Sequence, residues 1–458
     1  MPIGREAAAP ARDAPGPSFR EAAGVWAKIG LLSFGGPAGQ IAMMHRVLVE
    51  EKRWIGEVRF LHALNYCMLL PGPEATQLAT YVGWLLHRTS GGLVAGTLFV
   101  LPGFATVLAL SILYAAFHSV HWVDALFFGL KPAVLAVVVE AVLRIGRRAL
   151  RSRIRIAIAA AAFVAIFALD VPFPAIIASA ALLGSLGTRL APDVFRVGTA
   201  GADEPTPVDA AFDRERVRPS AGRALRVAAL WGALWFAPVA AIAAALGRSS
   251  IFFAIAVLFS KAAVVTFGGA YAVLAYIAQQ AVQGHGWLSP AEMLDGLGLA
   301  ETTPGPLILV TNFVGFLAAY RHASGLDPLA AGVLGAALTC WVTFVPCFLW
   351  IFLGAPYIES LRGILWLDGA LSAITAAVVG VVLNLAVWFA LHTVFHEVAT
   401  LHAGPLQWLA PAWRSVDAAS LAIAAAALLA MLRFGVGMLP TLAASAAAGA
   451  VYRLAAGA

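Results

Sequence analysis

The stretch MLLPGPEATQLATYVGW, residues 68–84, has the apolar character of a membrane helix, but a Pro-Gly-Pro motif at 71–73 interrupts it. Proline lacks a backbone donor and clashes with the preceding turn, which costs about 3 kcal/mol inside a helix. The stretch ETTPGPLILVTNFVGF, residues 301–316, carries the same motif at 304–306. Two equal interruptions predict two helices that are broken at matching places.

The composition around these stretches indicates an all-α polytopic membrane protein. The chain has 458 residues, 61% hydrophobic and 12% charged, with a mean hydropathy of +0.86. Soluble domains carry about 25% charged residues, and each membrane crossing needs about 20 apolar residues. The net charge of +6 lies mainly in arginines between apolar runs, such as 144–155, which mark cytoplasmic loops. No basic face on a soluble module is visible, so nucleic-acid binding is not expected.

Other function classes have little support in the sequence. The polar residues 1–22 lead into a full-length apolar run, so we expect no cleavable signal peptide and a multi-pass protein of the cell's inner membrane. No Gly-Lys dipeptide is present, which excludes a Walker A loop. His392 and His396 lack a third ligand, and neither a metal nor a cofactor is expected. Buried free thiols are predicted for the three cysteines, Cys67, Cys340 and Cys347.

The chain is a tandem duplication. A shift of 233 residues aligns Lys28 with Lys261, the Phe-Gly-Gly at 34–36 with that at 267–269, Trp54 with Trp287, and the two Pro-Gly-Pro motifs with each other. A slightly larger shift aligns Leu101-Pro102 with Val345-Pro346. The predicted organisation is a cytoplasmic N-terminus (1–22), a first repeat (23–188), a cytoplasmic linker (189–224), a linking transmembrane helix (225–246) and a second repeat (247–454).

Hydropathy predicts about 13 transmembrane segments, six in each repeat and one between them. The single linking helix would insert the second repeat upside down, and inverted-topology repeats are common among secondary transporters. If segments 61–86 and 293–320 are re-entrant instead, the count falls to about eleven. With the N-terminus inside, the arginines at 144–155 are cytoplasmic, but the basic loop 46–59 lies outside and fits the charge rule less well.

The broken helices predict a binding site. In lipid, irregular backbone is tolerated only where it lines a protein-enclosed or watery cavity. A helix that restarts after a break directs free N–H groups and a partial positive charge at that cavity. The adjacent glycines at 35–36 and 268–269 weaken a helix by about 1 kcal/mol each, but they permit close backbone approach. The alternatives are ordinary proline kinks and small-residue helix packing.

The candidate substrate-binding residues come from the two breaks, the two Phe-Gly-Gly motifs and one deep lysine: Ser33, Phe34, Gly35, Gly36, Pro71, Gly72, Pro73, Gln77, Lys131, Thr266, Gly268, Gly269, Thr302, Thr303, Pro304, Gly305, Pro306 and Asn312. Charged residues inside spans are costly and indicate function. The candidates for a proton or ion-pair role are Lys28, Glu74, Lys261 and Glu301. The two lysines are near span ends, where snorkelling is the alternative. The alternative for Glu74 is a first-turn carboxylate that stabilises its own helix.

These motifs resemble the CHR family of chromate ion transporters. The resemblance lies in FGGP-G-QIA-M (34–43), the Trp54 loop, LPGPEATQLATYVGW (70–84), GLKPAVLAVV (129–138), TFGGAY (266–271) and ETTPGPL (301–307). It covers residues 20 to 454 in the long two-domain form. It implies export of chromate from the cytoplasm, with chromate resistance and with sulfate as an analogue. The lipid bilayer is the other partner, and a homodimer is left open.

Energetics are compatible with export. A dianion that leaves an inside-negative cell gains about 4.6 kcal/mol per 100 mV, which supports roughly a thousandfold gradient. Whether protons are coupled to this movement is left open. The alternatives are a transporter of sulfate or another oxyanion, a membrane-embedded enzyme acting on a lipid carrier, and a channel.

Overall fold

The computed structural model describes residues 16–34, 36–117, 120–190, 220–267, 270–323, 325–357, 365–404 and 406–456. The first repeat contains α1 (Phe19–Leu32), α2 (Gly36–His45), α3 (Glu57–Leu69), α4 (Glu74–Phe117), α5 (His121–Ala149), α6 (Arg153–Leu169) and α7 (Phe173–Leu190). The linking helix is α8 (Ala221–Leu246). The second repeat contains α9 (Ile251–Val265), α10 (Ala270–Ala278), α11 (Pro290–Thr302), α12 (Val310–Arg321), α13 (Pro328–Gly354), α14 (Leu365–Val394), α15 (Ala418–Phe434) and α16 (Met438–Ala456).

The protein is an all-α polytopic membrane protein. Among the described residues, five helices are long and apolar enough to cross a membrane: α4, α5, α8, α13 and α14. α6, α7, α15 and α16 have 17 to 19 residues, close to the length that a crossing needs. The other helices are shorter. α1, for example, has 14 residues and is about 21 Å long, which does not span a hydrocarbon core of about 30 Å.

The same order of elements occurs in both repeats. α3 and α11 each have 13 residues, and they begin 233 positions apart. α2 and α10 each continue into a six-residue π-helix, Arg46–Glu51 and Gln279–Gly284, at the same spacing. One difference is an antiparallel hairpin of β1 (Val398–Ala403) and β2 (Leu406–Pro411), which follows α14.

The predicted first two spans of each repeat are divided. α1 ends before the Phe-Gly-Gly motif and α2 begins within it, while α3 and α4 are separated by the Pro-Gly-Pro motif. The predicted separate spans 61–86 and 92–117 share one long helix, α4, which is kinked by non-helical backbone at His87 and Arg88. The predicted span 61–86 therefore consists of α3 and the first part of α4.

The broken segments fold back on themselves. Lys52, after α2, forms an ion pair of 3.0 Å with Glu21 in the first turn of α1. The ring of His87, at the kink of α4, is 5.5 Å from the ring of Phe19 at the start of α1. In the second repeat, Arg321 at the end of α12 forms an ion pair with Glu292 at the start of α11. Because the ends of these segments meet, their shape is that of a hairpin.

The two repeats are interlocked by reciprocal packing. α14 of the second repeat packs on α6 and α7 of the first, and α5 of the first packs on α15 and α16 of the second. The same pair of contacts thus occurs twice, with the roles of the two repeats exchanged. Reciprocal contacts of this kind are typical of two units related by a two-fold axis. Glycines permit the close approach: a Cβ on Gly129 of α5 would lie 2.0 Å from the carbonyl oxygen of Ser445 in α16.

Candidate substrate site at the two helix breaks

The two breaks are joined to the opposite repeats by a reciprocal pair of hydrogen bonds. The backbone N–H of Gly72 donates to the carbonyl oxygen of Thr266 at 2.8 Å, and the N–H of Gly305 donates to that of Ser33 at 2.9 Å. Both glycines have positive φ, 124° and 89°, which explains why glycine occupies these positions. These two amides are consumed within the protein, so the expectation that they point at a bound anion is corrected.

Each break is also packed against a proline-containing helix. A Cβ on Gly103, which follows Pro102 in α4, would lie 2.4 Å from the carbonyl oxygen of Pro304. A Cβ on Gly72 would lie 3.3 Å from Sγ of Cys347, which follows Pro346 in α13. Because Pro102 and Pro346 are the aligned prolines of the two repeats, these contacts follow the same reciprocal pattern. The centre of the molecule is therefore built from both repeats.

Two glutamines hold the backbone of the breaks. Nε2 of Gln77 donates to the carbonyl oxygen of Pro71 at 2.7 Å, and Nε2 of Gln40 donates to that of Gly305 at 2.6 Å. Gln77 was a predicted site residue, whereas Gln40 was not. The available signal for Gln40 was an amide inside the otherwise apolar run of α2. Both side chains are fully buried.

Buried polar atoms without a hydrogen-bond partner surround the breaks. In the described part of the chain they include Ser33 Oγ, Gln40 Oε1, Thr76 Oγ1, Gln77 Oε1, Glu301 Oε2, Thr343 Oγ1 and both side-chain polar atoms of Asn312. These residues are at most 2% exposed. Because an unpaired buried polar group is destabilising, such groups normally meet protein, water or a ligand. Among these atoms, the hydroxyls of Ser33, Thr76 and Thr343 and Nδ2 of Asn312 are donors of the kind that an oxyanion accepts from.

Glu301 connects this centre to a charged pair on α5. Its Oε1 accepts a hydrogen bond of 2.7 Å from the hydroxyl of Tyr271. The same hydroxyl would lie 3.6 Å from a Cβ on Gly36, in the first Phe-Gly-Gly motif. Arg144 and Glu140, which form an ion pair with each other, are within electrostatic range of Glu301. Tyr271 and Arg144 were not among the predicted site residues.

Lys131 is in a separate cluster. Its Nζ is 3.5 Å from Oδ1 of Asp295, and the hydroxyl of Tyr114 donates to Oδ2 of Asp295 at 2.9 Å. This cluster borders a cavity of about 330 Å³ that Asp124 and Glu292 also line. Lys131 was a predicted site residue, but its paired acid, Asp295, was missed. An aspartate within the apolar run of α11 was the available signal.

The remaining predicted residues are in other surroundings or outside the described part of the chain. The side chains of Lys28 and Lys261 are exposed on α1 and α9, which favours the snorkelling alternative. The hydroxyls of Thr266, Thr302 and Thr303 donate to carbonyls of their own helices, and Phe34 and Glu74 are half-buried. Pro73 directly precedes the restarted helix α4, and Pro306 precedes a 3-10 turn (Leu307–Leu309) that leads into α12. Gly35, Gly268 and Gly269 are outside the described residues.

Membrane-length helices around a buried polar centre, to which matching broken helices of two repeats contribute, are typical of membrane transporters. The chain belongs to the chromate transporter family, whose model matches residues 20–185 and 253–450. It is in the long-chain form of that family, whose members are transport proteins and not enzymes.

Three relatives carry names that refer to chromate. The chain is 32% identical to a chromate transport protein of Pseudomonas aeruginosa, over 78% of this chain and 77% of the relative. It is 28% identical to a chromate transport protein of Cupriavidus metallidurans, over 84% and 87%. It is 27% identical to a probable chromate transport protein of Synechococcus elongatus, over 81% and 85%. No solved structure matches the chain.

Proposed function

We propose that this protein exports chromate from the cytoplasm across the cell's inner membrane and thereby gives chromate resistance. The observation that carries the proposal is the cluster of unpartnered hydroxyl and amide groups at the joined breaks. Ser33 and Asn312 provide donors from different repeats, so an oxyanion bound between them contacts both halves. The names of the relatives supply the substrate class.

The proposed architecture has inverted repeats. If the broken segments are re-entrant hairpins, as their meeting ends suggest, nine helices cross the membrane: α4, α5, α6, α7, α8, α13, α14, α15 and α16. Four crossings then return the chain to the side where it began, and α8 carries it to the other side. Loop 46–59 moves to the cytoplasmic face together with the arginines at 144–155. This supports the hairpin alternative, because both basic loops then obey the positive-inside rule.

Charge along the route supports outward movement. The arginines at the cytoplasmic end of α5 raise the local concentration of anions. Arg144, which is paired with Glu140, is within electrostatic range of Glu301 beside the breaks. The membrane potential then contributes about 4.6 kcal/mol per 100 mV to the exit of a dianion. Glu301, with one unpartnered oxygen, is our candidate for a proton carrier if transport is proton-coupled.

The test is accumulation of labelled chromate in inside-out vesicles that contain the protein. We expect saturable accumulation that increases when the lumen is made positive and that unlabelled sulfate inhibits. Vesicles with the Gly305→Ala variant are the matched control, because its Cβ would contact Gly103 and disturb the centre. Accumulation that equals that of protein-free vesicles would contradict chromate export.

Sulfate or another oxyanion is the second candidate substrate. Hydroxyl and amide donors recognise any tetrahedral dianion. No feature of the described centre distinguishes oxyanions by the size of their central atom. Sulfate is added to vesicles that accumulate labelled chromate. If sulfate halves the accumulation at a concentration far below that of chromate, sulfate is the preferred substrate.

A further inference from the structure

The cluster around Asp295 is separate from the polar atoms at the two breaks. Asp295 is in α11 of the second repeat, and its two neighbours come from the first repeat: Tyr114 in α4 and Lys131 in α5. Its side chain is 5% exposed and that of Lys131 is 22% exposed. A carboxylate and an ammonium group within the helices of a membrane protein are costly and indicate function.

The two oxygens of Asp295 have different roles. Oδ2 accepts a hydrogen bond of 2.9 Å from Tyr114, which fixes the orientation of the carboxyl group. Oδ1 faces Nζ of Lys131 at 3.5 Å, longer than the 2.7–2.9 Å that is usual for charge-assisted hydrogen bonds. Oδ1 has no hydrogen-bond partner within the described residues. A proton can therefore bind at Oδ1 without breaking the bond to Tyr114.

The cavity of about 330 Å³ gives that oxygen a source of protons. Tyr114, Lys131 and Asp295 line it together with two further acids, Asp124 and Glu292. Glu292 is paired with Arg321. Protonation of Asp295 changes the sum of the charges on Lys131, Arg321, Asp124, Glu292 and Asp295 from one negative charge to zero. The ammonium group of Lys131 then loses the negative charge of its ion-pair partner at 3.5 Å.

We propose that Asp295 is a proton-binding residue whose protonation leaves the positive charge of Lys131 uncompensated and so strengthens binding of the transported oxyanion. While Asp295 is ionised, its carboxylate neutralises the ammonium group of Lys131. When a proton from the cavity binds to Oδ1, this ion pair is lost. The cluster thus makes anion affinity depend on the pH at the cavity. This inference rests on the proposed function, because it assigns the residue that controls anion binding in the same transporter.

The first repeat has no equivalent of this device. The position aligned with Asp295 is His62, and the position aligned with Glu301 is Met68. Both repeats therefore have the break, whereas the acid at position 295 is present in the second repeat only.

The test compares anion binding by purified wild-type protein and variants over a pH series, with chromate and sulfate as probes. Asp295→Asn keeps an acceptor for Tyr114 but has no charge that protonation could remove, so the positive charge of Lys131 is uncompensated at every pH. We expect wild-type affinity to increase about tenfold on acidification, within the usual range of coupling between two sites. Asp295→Asn should bind at every pH as tightly as the wild type does at acid pH.

Chromate itself becomes protonated at acid pH, which also changes its binding. The wild type and each variant are therefore compared at the same pH, where the ligand is the same for both. Asp295→Glu should retain the pH dependence, and Glu50→Gln, which changes an exposed acid of the first repeat, should behave as the wild type. Lys131→Met/Asp295→Leu, which removes both charges together and so avoids an unpaired buried charge, should fold but bind weakly at all pH values.

An Asp295→Asn protein that is folded but retains the wild-type pH dependence would overturn the inference. So would one that binds no more tightly than the wild type at high pH. Both results leave chromate transport by the wild type intact, so they differ from failure of the proposed function, in which the wild type itself neither binds nor transports chromate.

Discussion

Single glycines decide how closely the two repeats approach. Gly72 and Gly305 supply the N–H groups that join each break to the opposite repeat. Gly103 is tighter still, since its Cβ would lie 2.4 Å from a backbone carbonyl. Backbone atoms cannot move aside as the end of a flexible side chain can, so the centre depends on the absence of side chains at these positions.

Gly103→Ala should therefore destabilise the protein and reduce chromate accumulation strongly. Overpacking of a tight site typically costs about 1–3 kcal/mol. Gly232→Ala in α8 is the matched control, because its Cβ would meet nothing within 4 Å, and alanine favours the helix by about 1 kcal/mol. Thermal unfolding of both purified variants checks the difference. Equal unfolding temperatures would show that the contact at Gly103 is unimportant.

Lys131→Ala should reduce export strongly, because it removes a positive charge of the anion route and leaves Asp295 unpaired. Lys131→Arg should retain part of the activity, since the charge is kept while the geometry of its donors changes. Initial rates of chromate accumulation at matched protein amounts measure the effect. Normal rates in the alanine variant would reassign Lys131 to a structural role.

At the scale of elements, the sequence predicted where the helices break but not which parts of the chain the breaks contact. Proline and glycine at 71–73 and 304–306 are local signals, and the helices end and restart there. The partner of each glycine amide is more than 190 residues away in the chain, so no local pattern contains it. The shapes of the divided spans depend on contacts such as Arg321–Glu292, which hydropathy does not register.

Replacement of both prolines in one motif tests the purpose of the break. Pro71→Ala/Pro73→Ala should favour a continuous helix from α3 into α4 and draw the Gly72 amide away from Thr266. Helix propensity then predicts a well-inserted protein in which chromate binding is lost or much weaker. An ordinary kink predicts lower stability, with binding in proportion to the folded fraction.

Thermal stability and chromate binding are measured on the same purified protein, and Pro238→Ala in α8 serves as the control. Pro238 is inside a helix that packs mainly on α13 and α9, away from the two breaks. Normal chromate binding by the Pro71→Ala/Pro73→Ala protein would refute the role given to the break.

At the scale of the whole molecule, the duplication was visible in the sequence because four anchors share one offset. The reciprocal exchange of α5 and α14 between repeats was not visible, since helix contacts between distant segments leave no periodic signal. Asp295 was missed for a related reason: its meaning depends on Lys131 and Tyr114, which come from the other repeat.

The inverted arrangement predicts a cytoplasmic N-terminus, a cytoplasmic linker at 189–224 and an external C-terminus. Reporter fusions after residue 224 and at the C-terminus should therefore report opposite sides. A cysteine at the exposed Glu51 should react with an impermeant reagent from the cytoplasmic side if the first segments are hairpins. Labelling of that cysteine from outside would restore the fully crossing segments and the higher count of spans.

The central claim is that both repeats form one oxyanion site at the joined breaks. Equilibrium binding of labelled chromate to the purified, monodisperse protein tests it most directly, because the number of sites is counted. We predict one chromate per chain, displaced by sulfate and lost in the Gly305→Ala variant even though its first break is unchanged. Two equivalent sites per chain, of which one survives in that variant, would contradict the claim.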